Sequence, residues 1–273
     1  MKKLLLTLCV CMTIAVSCNN KETVTPKNDF KTVIANLNSM YKTGITFQVS
    51  NLKDFTSLKD GKIVVDYDGL NKKTAEKLNS QFFGGMFNPL SVLQASVAPK
   101  SKSLRLDDDY YSAEQQVMVD DYVGQMYNAT DSYSADYVVQ SFQNDIIYSS
   151  RFSYDQQIQL LAVVQAGDVL SDYVFSGSAA RDLGSVFAGY VDSQYSEFGC
   201  SVDWRGVWGG AVIGLGVGAV RGAIIGGAGG TVALPLLGTV TGAVGGAVFG
   251  GAAGFVEGAL AGVAGSLLLS CFR

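Results

Sequence analysis

The chain of 273 residues contains no histidine. Ser-His-Asp and Cys-His nucleophilic sites are therefore excluded, as are zinc sites with a histidine ligand. Proline is scarce, at four residues, and tryptophan scarcer, at two. Charged residues make up only 16% of the chain, and between residues 206 and 270 only Arg221 and Glu257 carry charge. No basic stripe interrupts a net charge of −4, which argues against nucleic acid as a partner. Asp107, Asp108 and Asp109 are consecutive rather than alternating, unlike a calcium-binding EF loop, and suit an acidic helix entry better. No acid–base pair or ligand cluster has a recognisable spacing. We therefore expect no catalytic residue, no metal, no cofactor and no enzymatic activity.

What is present begins with the opening stretch MKKLLLTLCVCMTIAVSCNN. Two lysines precede an apolar run from Leu4 to Val16, then a small residue and a cysteine, the layout of a secretory signal. The run is too short for a membrane-spanning helix of about 20 residues. A cysteine directly after Ala-Val-Ser resembles the lipobox of bacterial lipoproteins, although Ala15 stands where that family usually has leucine. The resemblance implies cleavage after residue 17 and acylation of Cys18. Residues 18–29 read as a polar tether. The pair Lys21 and Glu22 is similar to surface-export signals of Bacteroidetes lipoproteins. These resemblances imply a lipid-anchored envelope protein, in the outer membrane and facing the periplasm or the surface, with membrane lipid as partner.

Cysteine use agrees with that compartment. Cys9 and Cys11 would leave with the signal and Cys18 would carry lipid. Cys200 and Cys271 remain as an even pair in an oxidising compartment. Without Lys2 and Lys3, 18 basic face 24 acidic residues, a net charge of −6.

The mature chain divides by composition into three parts. Residues 30–109 are mixed: GITFQVSNL and GKIVVDYDG read as strands or extended segments, LNKKTAEKLNSQF as a short helix, and APKSKSLRLDDD as a linker. Residues 110–199 read as helices. Ser112 with Gln115, and Ser153 with Gln156, form capping-box pairs ahead of apolar runs. The helix after Ser153 is apolar on nearly every face and should be central. Eleven of the 13 tyrosines lie between residues 110 and 195. They are expected to cap a core with rings inside and hydroxyls in water, or, on a sharper reading, to form a glycan- or peptide-binding surface.

Residues 200–273 hold the strongest signal. Glycine recurs at 210, 214, 218, 222, 226 and 230, then at 238, 242, 246, 250, 254, 258 and 262. Each glycine costs a water-exposed helix about 1 kcal/mol against alanine. Small residues four apart instead make a groove into which a second backbone fits. Pro235 is expected to turn the chain and to begin the second helix. Folding back there brings 210 level with 262, 214 with 258, 218 with 254, 222 with 250, 226 with 246 and 230 with 242, while Cys200 meets Cys271 as a disulfide at the open end. Each arm is long enough to cross a bilayer. Trp204 and Trp208 then read as interfacial anchors, and Arg221 and Glu257 as intramembrane or seam charges. The alternative is a hairpin buried against the protein's own helices.

The stretches GGAVIGLGVGAVRGAIIGGAGG and LGTVTGAVGGAVFGGAAGFVEGALAG resemble glycine-zipper domains of bacterial envelope lipoproteins and segments of glycine-zipper bacteriocins. The resemblance implies membrane association or homo-oligomerisation and carries no catalytic residues. The expected fold is mostly α: a helical bundle with a small mixed N-terminal region and a C-terminal antiparallel glycine-zipper hairpin. The expected function is a non-catalytic, lipid-anchored protein whose hairpin inserts into or assembles on a membrane; the alternatives are a pore-forming toxin and a surface binding module. Cys18→Ala should abolish acylation, read as loss of the lipid-sized mass increment on the mature N-terminal peptide.

Overall fold

In the computed structural model, residues 30–94, 110–190, 202–227 and 230–271 are described. Cys18, the tether, the 95–109 linker and Cys200 lie outside the described residues, and Cys271 is described in its backbone alone. The expected lipidation and disulfide therefore lie outside them too. The chain divides into two units, residues 1–30 and residues 31–273; apart from Phe30, the first residue of the first helix, the second holds every element below.

Helix α1, Phe30–Asn51, buries Val33, Leu37, Met40, Tyr41, Gly44, Ile45 and Gln48. Those steps of three and four are a helix's period, so GITFQVSNL continues α1 and is not the strand its β-branched residues suggested. A 3-10 turn, Leu52–Phe55, leads into strands β1, Thr56–Lys59, and β2, Lys62–Val65, paired antiparallel. Asp60 and Gly61 both adopt positive φ between them, the requirement of a tight two-residue hairpin turn. Helix α2, Tyr67–Phe82, starts where the Asp66 carboxylate accepts from Gly69 N–H, and α3 is the short Pro89–Gln94.

Four helices follow: α4, Ala113–Tyr127; α5, Ser132–Ile147; α6, Tyr154–Phe175; and α7, Ser178–Ala188. Both expected capping boxes close, with Gln115 and Gln156 side chains accepting from the backbone N–H of Ser112 and Ser153. A third starts α5, where Asp131 and Ser134 exchange the same pair of bonds. Sequence reading missed it because serine stands where glutamine or glutamate normally signals the motif. Every residue of α6 from Gln157 to Gly167 is buried. This helix is the axis of the bundle. Tyr41 of α1 and Tyr122 of α4 both donate their hydroxyls to its carbonyls, at Ala162 and Val164, each at 2.9 Å. The rings and hydroxyls of these two tyrosines are both inside, and that burial holds both phenol pKa values above the ordinary range.

The last part consists of α8, Trp204–Gly226; strands β3, Thr231–Leu234, and β4, Gly238–Thr241; and α9, Gly242–Cys271. The fold is mostly α, with two small antiparallel sheets among the described residues. Pro235 lies in the β3–β4 turn and does not begin the second helix, which starts seven residues later at Gly242. Thr231-Val232 and Thr239-Val240-Thr241 are β-branched on both sides of that turn, so the link between the helices is a β-hairpin.

Asp168 of α6 is half-sunk between helices, where burial raises its carboxyl pKa and the bond from Asn38 (3.0 Å) offsets this only in part. An acid whose pKa is higher folded than unfolded stabilises below its unfolded value and loses that contribution as pH rises through its folded value. Asp168→Asn should therefore raise the melting temperature at pH 7, with the advantage shrinking as pH falls into the carboxylate range. Thermal scans from pH 4 to 7 check this.

Candidate functional site

The feature that sets this chain apart is the contact between α8 and α9. A methyl group built on Gly214 would fall on the carbonyl oxygen of Gly254, and the same clash joins Gly218 to Gly250, Gly222 to Gly246 and Gly226 to Gly242. On Gly210 it would lie 2.8 Å from the Gly258 carbonyl oxygen. One turn further along each helix lies the Cα of the expected level partner: Gly258 is 3.3 Å from the position built on Gly214, Gly250 is 3.1 Å from that on Gly222, and Gly246 is 3.0 Å from that on Gly226. Each glycine thus sits between its level partner and the residue one turn before it. Gly262 faces Val207 and the Gly206 carbonyl. The backbones touch because nothing but hydrogen stands between them.

Two glycines of the four-residue series have a different task. Gly230 and Gly238 lie outside the helices at φ of 64° and 76°, so they are turn residues and not helix-packing ones as expected. Gly230 ends the β-hairpin by accepting from the N–H of Gly242. The left-handed backbone there is open to glycine at little cost, whereas a side chain would be strained.

The pair is covered on part of its outer surface by the rest of the protein. On α9, Phe249 stacks on Phe87 at 5.4 Å and meets Phe83 edge-on, Phe255 meets Tyr41 edge-on, and Val256 fits against Gly44 of α1. On α8, Trp204 and Trp208 stack on each other and donate their indole N–H groups to the Met126 and Val123 carbonyls of α4. Gly167 leaves room on α6 for Trp208 and the Tyr122 hydroxyl. Both tryptophans are thus buried clamps here, in place of the exposed interfacial anchors expected. The indole N–H finds its partner at the end of α4, so ring and donor are both satisfied inside.

The tip of the hairpin is held by three bonds: Tyr154 Oη donates to the Leu237 carbonyl (2.8 Å), Asn36 Nδ2 to the Leu236 carbonyl (3.2 Å), and Thr241 N–H to Asp155 Oδ2 (3.2 Å). Its base is tied by Asp203 N–H donating to Ser266 Oγ. Among the described residues, three helices are long and apolar enough to cross a membrane: α6, α8 and α9 through Ser270. The sequence marks the first of these, apolar on nearly every face, as a central bundle helix only.

The two charges do not meet in an ion pair. Glu257, half-buried on α9, faces Asn71 of α2, with Arg221 and Asp68 within electrostatic reach. Arg221 Nε is buried and has no hydrogen-bond partner among the described residues. Gln165, fully enclosed in α6, leaves both side-chain polar atoms unpartnered, and one oxygen each of Asn38, Gln48 and Gln116 is in the same position. Each such group costs about 1–3 kcal/mol of stability. The enclosure is apolar and well packed, but not fully satisfied.

Elsewhere, a cavity of about 700 Å³ opens between α1, α6 and α7, lined by Lys42, Thr46, Asp172, Tyr173 and Asp182. Its charges are engaged in loose pairs, Lys42 with Asp172 and Arg181 with Asp182, both at 3.9 Å. Tyr133, Tyr137 and Tyr148 stand on the surface at and beside α5, 71% to 84% exposed, with their rings outside the core the sequence reading placed them in. No group of three or more metal-ligating side chains occurs among the described residues. No protein-family model matches the chain, and no curated protein or solved structure is significantly similar to it.

Alanine is the better helix former, yet at Gly222 its methyl would strike backbone that has no rotamer to yield. Gly222→Ala should destabilise the fold by about 1–3 kcal/mol. Gly209, on the same helix, has open space around it, and Gly209→Ala should be neutral or stabilising by up to about 1 kcal/mol. Urea titrations of the two variants check the opposite signs.

Proposed function

We propose that this is a non-catalytic, lipid-anchored envelope protein that stores an apolar helical hairpin in a jacket of its own helices and delivers it to a membrane. The observation that carries the reading is that α8 and α9 have the length and hydropathy of membrane spans, yet the aromatic and polar contacts of α1, α2, α4 and α6 enclose much of their surface. Glycine pairing needs no water to drive it, so the two helices keep the same contact in lipid as in the bundle. The jacket is what exchanges. Unpartnered Arg221 Nε, the orphaned amide of Gln165 and the orphaned oxygen of Gln48 lower the cost of opening, because water or headgroups satisfy them once the jacket parts. Trp204 and Trp208, freed from the α4 carbonyls, become the interfacial anchors of the inserted state.

The pore-forming reading is the same transition made in a competitor's membrane, and release of a trapped dye from vesicles distinguishes it from insertion without leakage. A second reading, a surface that binds glycan or peptide, is favoured by one observation only, the three exposed tyrosines at α5.

The two tryptophans are the only ones in the chain and both belong to α8, so their fluorescence reports the hairpin alone. Gly44 and Val256 lie close enough for a cysteine at each to bridge α1 and α9. Vesicles of brominated phosphatidylcholine should quench the tryptophans of the unlocked protein. The oxidised Gly44→Cys/Val256→Cys variant should stay unquenched until reduced, with wild type in the same reductant as control. Equal quenching of locked and unlocked protein, or none in either, overturns the delivery reading.

A further inference from the structure

One face of α8 is left outside the jacket. Ile213 is 56% exposed, Val217 37% and Ile224 61%, and Val220 between them is half-buried. At 100° per residue these four lie within an arc of about 60°, and from Ile213 to Ile224 the stripe runs about 16 Å along the helix. Gly206 and Gly227, exposed at its two ends, leave it unobstructed. On the same wheel, Arg205 and Arg221 lie about 80° to either side of Ile213, one on each edge of the stripe. Arg205 is exposed at the start of the helix, its guanidinium over the Tyr127 ring at 5.3 Å. Arg221 is half-exposed near the other end, with its Nε buried and Glu257 within electrostatic reach. The nearest acid in sequence, Asp203, is turned to its own helix, accepting from the N–H groups of Arg205 and Gly206.

An aliphatic stripe bordered on both edges by arginine is the pattern of a helix lying in a membrane interface. The aliphatic tips enter the acyl boundary and the long cationic side chains reach the phosphates beside them. We infer that in the closed state this face of α8 docks the protein on a lipid surface carrying anionic headgroups, before and independently of any opening of the hairpin. A second copy of the chain fits less well. Two such faces meeting across a two-fold axis would set the same Arg-bordered stripe against itself, and Glu257, the acid within electrostatic reach of Arg221, is half-buried against Asn71 of its own chain. The inference rests on the membrane-associated reading, but not on delivery of the hairpin.

The test uses the full mature chain with Cys18→Ala, so that no acyl anchor contributes, and with the Gly44–Val256 lock oxidised, so that no insertion contributes. Flotation is measured with vesicles of phosphatidylcholine alone and with one third phosphatidylglycerol. The locked protein should float with the anionic vesicles. Ile213→Glu and, separately, Ile224→Glu should reduce its partitioning at least tenfold, and Arg205→Gln or raised salt should reduce it several-fold. These side chains are exposed, so melting temperatures should be unchanged; Val217→Glu replaces any variant whose melting temperature falls. Equal partitioning of the glutamate variants, or equal binding to neutral vesicles, overturns the inference. So does a lipid-free dimer that Ile213→Glu dissolves, which would assign the stripe to a second copy. Failure of the delivery reading looks different: flotation and its loss in the variants persist, while the unlocked protein shows no tryptophan quenching.

Discussion

Everything in the C-terminal half follows from how near two helix backbones can come. Five glycines on α8 face carbonyl oxygens of glycines on α9 at a distance where a single methyl group would overlap. Dispersion at that separation acts between backbones, whose geometry is shared by every residue, so the contact tolerates no side chain and needs none. The consequence is a pair of helices that recognise each other with little dependence on the medium around them. Most helices of water-soluble proteins pair by hiding apolar side chains from water; this pair also buries its own backbone.

Removing side chains from the shared face places the apolar residues on the outer faces of both helices. There Phe249, Phe255, Val256, Trp204 and Trp208 have to be covered, and α1, α2, α4 and α6 do so with rings and hydrogen bonds to backbone carbonyls. The jacket is accordingly organised around the hairpin. Tyr41 touches both the α6 carbonyl at Ala162 and the ring of Phe255, so a single side chain joins the bundle's axis to the hairpin. Gly44 and Gly167 are the two places where the jacket itself gives up a side chain to let Val256 and Trp208 in.

The enclosure nonetheless carries charge and amide groups that it does not satisfy. Arg221, Gln165, Gln48 and Asn38 each hold a buried polar atom without a partner, and Glu257 is accompanied by an asparagine and no ion pair. A core selected only for stability would replace such groups by apolar ones. Their retention beside an otherwise close-packed hairpin is consistent with a closed state that is one of two, and with the uncovered Arg-bordered stripe on α8 as the side presented to lipid.

How much of this was legible in the sequence depended on whether the signal was local. Backbone-level regularities were: the four-residue glycine series announced a helix pair and its antiparallel sense, and Ser112–Gln115 and Ser153–Gln156 announced two helix starts, because caps and spacings act within one turn of chain. Gly230 and Gly238 broke the inference, since a glycine in phase with a helix and a glycine needed at positive φ are written with the same letter. The segment around Ile45 read as a strand because propensity is weaker than the burial that α2 and α9 impose on it. Above all, the sequence by itself determined that α8 and α9 would be apolar and would pack backbone to backbone. Only the tertiary structure decided what lies against their outer faces. The covering side chains, Tyr41 and Tyr122 on helices and Phe83 and Phe87 in the loop between α2 and α3, come from segments more than eighty residues away, and no local pattern encodes which distant surface will arrive to meet them.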